Sequence, residues 1–280
     1  MTTLVIGARG KIGQTVIDRL HAAGLPVRAA SAAPTEVTVP SGVEVAELRL
    51  DAPETFTAAL KDVRQVFLYA EPAGIDAFVT AARAAGVEHI VLMSSSSVLA
   101  DDAESSPLAA HHLAVEKALA ASGLTVTVLR PGAFASNSLG WAYFIGNDLP
   151  IEHPYPDARI APVHPADIAD VAVAALIGDI APGGAFYLTG AEQLSFREQL
   201  AILGEAIGRE IPIVEISREA ALEQMGRQMP TTLATSLLDY WASATATPEN
   251  VADTTESVLG TPARSFAQWA RENASAFSRS

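Results

Sequence analysis

Leu4-Val5-Ile6-Gly7-Ala8-Arg9-Gly10-Lys11-Ile12-Gly13 is the stretch that decides the fold. Leu4 to Ile6 reads as a short strand, and Ile12, Val16, Ile17 and Leu20 recur at helical spacing, so a strand passes into a helix across three glycines. Gly7 permits the tight turn, Gly10 lets a diphosphate approach the backbone, and Gly13 lets the helix lie close to the strand. The unpaired N–H groups of the first helical turn, together with the helix dipole, then favour an anion. The spacing is G-x-x-G-x-x-G rather than the commoner G-x-G-x-x-G, so the strand–turn–helix setting is what makes the reading specific. Gly7, Ala8, Arg9, Gly10, Lys11 and Ile12 form the expected dinucleotide cradle.

The alternation continues outward. The first helix runs to Ala22, closed by Gly24 and Pro26. Strands are expected at Val27–Ala30, Val43–Leu48, Gln65–Tyr69, His89–Met93 and Leu124–Leu129, with helices from Pro53, Gly74 and Pro107 between the later ones. Strands alternating with helices imply βαβ crossovers and a parallel sheet covered on both faces. The fold class is therefore α/β, a Rossmann-type doubly wound parallel sheet with a smaller C-terminal α/β substrate lobe. Residues 1–135 and 158–180 are assigned to the sheet domain, and residues 136–157 and 181–280 to the lobe. Ser195 and Glu198 fit a capping box at the head of a helix in that lobe.

Ligands of such sheets bind beyond the carboxyl ends of the strands. Three loops should line the cofactor: Tyr69-Ala70-Glu71, Ser94-Ser95 and Pro131-Gly132-Ala133-Phe134. The second strand ends without the acid that usually binds the ribose hydroxyls of NAD. Its absence permits a 2′-phosphate, for which Arg9, Arg28 and Ser31 supply charge and a hydroxyl, so NADP(H) is favoured over NAD(H).

The 280 residues include 32 acidic and 18 basic side chains, a formal charge of −14, and no cysteine. A chain this long buries about 70–75% of its unfolded surface, enough for a large core. Thiol chemistry is excluded, and the acidic balance argues against nucleic-acid binding, which depends on Lys and Arg contacts to phosphate. No stretch reaches the roughly 20 apolar residues of a spanning helix, and the N-terminus lacks a basic leader, so the expected setting is cytoplasmic. No His/Asp/Glu spacing compels a metal site. The expected partner is a small-molecule substrate, handled by a monomer or homodimer.

The glycine loop, Leu92-Met93-Ser94-Ser95, His112-x-x-x-Glu116, Leu129-Arg130-Pro131-Gly132, Pro165-Ala166-Asp167-Ile168-Ala169 and Tyr187-Leu188-Thr189-Gly190 together resemble the NmrA-like atypical short-chain dehydrogenase/reductases, including the NAD(P)H:quinone oxidoreductase type 2-like members. That resemblance covers nearly the whole chain. It implies a dinucleotide-binding fold and, in many members, reduction of quinones or enones; other members bind the dinucleotide as regulators. The Tyr-x-x-x-Lys pair of short-chain dehydrogenases is missing, because Leu113 stands four residues before Lys117. His112, Lys117 and Tyr143 are the candidate catalytic groups, with His111 beside them; His153 and His164 lie towards the substrate side.

The expected activity is NADP(H)-dependent hydride delivery to a small unsaturated carbonyl or quinone. Such an acceptor yields a delocalised oxyanion and needs less proton assistance than a ketone. A regulator without turnover and a non-redox isomerase, cyclase or dehydratase remain the alternatives.

Overall fold

A computed structural model describes residues 1–278. The chain begins β1 (Thr2–Ile6), α1 (Lys11–Ala22), β2 (Val27–Ser31), β3 (Glu44–Glu47), α2 (Phe56–Ala59), β4 (Val63–Tyr69), α3 (Ile75–Ala85), β5 (His89–Met93), α4 (Pro107–Ala120) and β6 (Thr125–Pro131). It continues α5 (Ala142–Gly146), β7 (Ile151–His153), β8 (Arg159–Ile160), α6 (Pro165–Ile177), β9 (Ala185–Leu188), β10 (Leu194–Ser195) and α7 (Phe196–Ile207). It closes with β11 (Ile213–Glu215), α8 (Arg218–Gly226), α9 (Thr231–Ala246), α10 (Thr254–Leu259) and α11 (Phe266–Glu272).

Seven strands make one sheet in the order β3-β2-β1-β4-β5-β6-β9. Every pairing in it is parallel. The central strands read as near-continuous apolar runs because both faces are covered. One face packs α1 and α6, burying Val16, Ile17, Leu20, Phe67 and Val91 with Ile168 and Ala172. The other packs α2, α3 and α4, with Phe56 edge-on to Phe78 at 5.6 Å. Truncating a fully buried phenylalanine such as Phe67 costs about 3–5 kcal/mol. Chain order reverses between β1 and β4, which opens the crevice where nucleotides sit in doubly wound sheets.

Residues 185–188 join the main sheet beside β6 instead of lying in the lobe, and α10 packs on α6, so the division drawn from the sequence is crossed twice by the chain. The helix expected from Pro53 begins as a 3-10 turn, Pro53–Thr55, before the short α2. The lobe has its own core, built from Leu200, Leu203, Phe266, Trp269 and Phe277. Arg264 ties it to the sheet domain. Its side chain pairs with the buried Asp167, and its N–H donates to the same carboxylate at 2.8 Å.

Candidate active site

The glycine loop crosses from β1 to α1 at the chain reversal. Gly7 has φ +81°, and a Cβ there would meet the Tyr69 ring at 2.5 Å. A Cβ on Gly13 would meet the Gly7 carbonyl oxygen at 2.5 Å, so strand and helix touch through backbone alone. Ala8 N–H is used by the Ala30 carbonyl and Gly10 N–H by the Gly7 carbonyl. Gly13 N–H donates to the Tyr69 hydroxyl at 3.1 Å. Among the described residues, the N–H groups of Arg9, Lys11 and Ile12 have no protein acceptor. Three donors at a helix N-terminus, against a surface that admits no side chain, fit a diphosphate.

Tyr69, at the end of β4, lies under this loop instead of beside an open cofactor. Its ring packs edge-on against Phe67 at 5.5 Å, and burial raises its hydroxyl pKa against the opposing bond from Gly13. Ala70 N–H is bound to the Met93 carbonyl, and Glu71 accepts from Ala73 N–H at 2.9 Å while standing 3.9 Å from His111.

The expected 2′-phosphate side needs one correction. Arg28 does not reach it: the residue is only 8% exposed, pairs with Glu44 at 2.8 Å, and donates to the Ala59 and Lys61 carbonyls at 2.8 and 2.7 Å. It fastens β3 and the end of α2 to β2. Ser31 is buried, and its hydroxyl accepts Ala33 N–H at 3.1 Å. Arg9 is exposed, and its partner is Glu36, brought round by the 3-10 turn Pro34–Glu36. That acid lies beyond the end of β2, so reading the strand alone misses it.

At the ends of β5 and β6 the side chains form a connected set. The Ser94 hydroxyl donates to Glu116 at 2.6 Å, and Arg130 binds the same carboxylate through Nε at 3.1 Å and a second nitrogen at 2.6 Å. Ser95 caps the following turn by accepting Ser97 N–H. Pro131 ends β6. Gly132 N–H is held by the Leu188 carbonyl, and Phe134 bridges to Val163. Glu249 reaches the same loop from the lobe. It accepts from the Tyr187 hydroxyl and from Ala161 N–H, both at 2.9 Å, and burial together with the carboxylate raises the tyrosine pKa.

The three catalytic candidates are not brought together as a relay. Lys117 is exposed and bound to Glu104 at 2.6 and 2.7 Å. Tyr143 is 70% exposed and touches Phe144 edge-on at 5.7 Å. His112 is half-buried with its Nδ1 enclosed and unpartnered; burial and the neighbouring His111 hold its pKa below the usual value. It is therefore neutral at pH 7.

The lobe adds a cleft of about 490 Å³ between α5, β7, α8 and α9, walled by Trp141, Phe144, Met225 and Trp241. His153 also lines it. This cleft was not readable from the sequence, because β7 finds its partner β11 some sixty residues away. No group of three or more potential metal ligands occurs among the described residues. No helix among them is long and apolar enough to cross a membrane.

A family model described as NAD(P)H-binding matches residues 7–178. The chain is 36% identical over 279 residues to a (4-alkanoyl-5-oxo-2,5-dihydrofuran-3-yl)methyl phosphate reductase of Streptomyces griseus, covering 98% of each. It is 34% identical over 287 residues to an NAD(P)H azoreductase of Xenophilus azovorans, again covering 98% of each. A crystal structure of an NADPH-dependent quinone oxidoreductase from Escherichia coli, complexed with NADPH, superposes with a TM-score of 0.81 over 97% of this chain and 99% of that one. At 24% identity it speaks for the fold.

Proposed function

We propose, for a chain that belongs to the NAD(P)H-binding family and is an oxidoreductase of that fold, that it reduces a small, flat, unsaturated carbonyl or quinone and takes NADPH in preference to NADH. The observation that carries the reading is the set of three unpaired amides, Arg9, Lys11 and Ile12, at the sheet's chain reversal. Arg9 meets the 2′-phosphate. Its pair with Glu36 is exposed on both sides, and such pairs contribute only about 0–1 kcal/mol, so a dianionic phosphate can displace the carboxylate.

When bound, the nicotinamide supplies the hydride. The chain's own part is to hold the loops that flank it. Glu116 and Arg130 fix Ser94 at the end of β5, and the Leu188 carbonyl holds Gly132 N–H at the end of β6. We assign His112 to proton traffic, as the neutral imidazole of α4 with a free enclosed nitrogen. No tyrosine–lysine relay operates, since Leu113 replaces the tyrosine and Lys117 is committed to Glu104. A conjugated acceptor suits this economy, because charge delocalises over its oxygen and water completes the protonation. The furanone, azo and quinone substrates named for the relatives are all conjugated acceptors, which supports the reading.

The test is NADPH oxidation with a panel of quinones, unsaturated lactones and simple ketones. Turnover is expected with the first two classes and not with the third. Tight NADPH binding without turnover of any acceptor would favour a sensor.

A further inference from the structure

His153 occupies a position that the reductase reading leaves unexplained. The residue is 5% exposed, at the end of β7, with its ring 3.9 Å from Phe196 and 4.7 Å from Trp241 by centroids. Tyr155 N–H donates to its Nδ1 at 3.1 Å. An imidazole that accepts at Nδ1 carries its proton on Nε2. That Nε2 is enclosed and has no acceptor, one of three such side-chain atoms among the described residues. Buried donors are almost always paired, and leaving one unpaired costs free energy, so an orphan donor beside a cleft calls for a ligand. Burial pushes the imidazole down to about 4, so the ring is a neutral donor at pH 7 and not a general acid.

We propose that the lobe cleft binds a flat conjugated carbonyl compound between its aromatic walls, with His153 Nε2–H as the hydrogen-bond donor to the carbonyl oxygen. Three observations converge on this. Trp141, Phe144 and Trp241 offer ring faces and edges that suit a planar ligand. Among the described residues, the one hydrogen bond of the His153 side chain fixes the tautomer that presents a donor. The Trp241 ring lies 4.7 Å from the imidazole at 47°, so an aromatic wall of the cleft and the donor are immediate neighbours. The donor would also sort substrates, because an acceptor lacking the oxygen leaves it orphaned. The inference rests on the reductase reading for the ligand's class, though not for the donor itself.

The experiment is a titration of the full-length chain, labelled with 15N-histidine, with menadione, in the presence and absence of NADP+. The His153 Nε2–H signal, assigned by its absence in His153→Gln, is expected to move downfield as menadione saturates. His153→Phe keeps the aromatic packing and removes the donor; it should weaken menadione binding about ten- to hundredfold while leaving NADP+ affinity within about twofold. An unmoved signal at saturation, no menadione binding, or equal binding by His153→Phe overturns the proposal. Should His153→Phe fail to fold, the labelled wild-type chain decides alone. Failure of NADP+ to bind while menadione still moves the signal removes the reductase reading and leaves the cleft proposal standing.

Discussion

The buried neutral histidine of the lobe has a thermodynamic consequence at mildly acid pH. In the native chain His153 takes up a second proton and becomes charged only below about pH 4, because burial penalises the charged ring. In the unfolded chain it titrates near 6.5. The native pKa is depressed, so stability is fully present above about pH 6.5 and is lost as pH falls towards 4, where the unfolded state binds a proton that the native state refuses. Between pH 8 and pH 5 the loss from this one group comes to about 2 kcal/mol, reaching about 3 kcal/mol below pH 4. His89 and His112, also depressed by burial, act in the same direction. The assay is urea unfolding of the wild type and His153→Phe at pH 8, 6.5 and 5. The variant loses the acceptor for Tyr155 N–H, so its absolute stability will differ, and the pH dependence is the readout. His153→Phe should lose about 2 kcal/mol less than the wild type between pH 8 and 5. Parallel curves for the two proteins would show that His153 is hydrated or paired in solution and not a buried neutral ring.

The remaining predictions concern the nucleotide edge. Gly13→Ala drives a methyl to 2.5 Å from the Gly7 carbonyl oxygen; it should cost about 1–3 kcal/mol in urea unfolding and weaken NADPH binding at least about tenfold by calorimetry. Arg9→Ala should weaken NADPH about ten- to hundredfold, leave NADH within about twofold, and leave the melting temperature unchanged, since the pair it breaks is exposed. Lys117→Ala should leave kcat/KM within about threefold, because that ammonium is spent on Glu104 at the surface; a loss of two orders of magnitude would restore it as a catalytic group.

The main sheet is legible in the chain because each of its signals is local. The apolar runs of β4 and β5, the stripe of Ile12, Val16, Ile17 and Leu20, and the glycine that closes α3 at Gly86 all lie within a few residues of the structure they specify. The glycine loop is legible for the same reason. What escapes is set by distance. Arg28 reads as a free cation at a strand end, yet its donors are taken by carbonyls of α2's last turn and of Lys61, more than thirty residues on. Glu36 belongs to the phosphate edge only because a 3-10 turn folds it back on Arg9. The cleft depends on β7 pairing with β11, and its two-strand partnership leaves no periodic pattern in three-residue strands. His153 is visible as a histidine, but its donor character follows from the Tyr155 backbone bond and its enclosure from rings on α7 and α9.

The amides of Arg9, Lys11 and Ile12 are proposed to receive the diphosphate of a pyridine nucleotide, with Arg9 reading its 2′-phosphate. Calorimetric titration of the full chain with NADPH and with NADH tests it most directly. One site per chain is expected, filled at micromolar NADPH and at least about tenfold weaker for NADH; no heat from either nucleotide at millimolar concentration would rule the diphosphate cradle out.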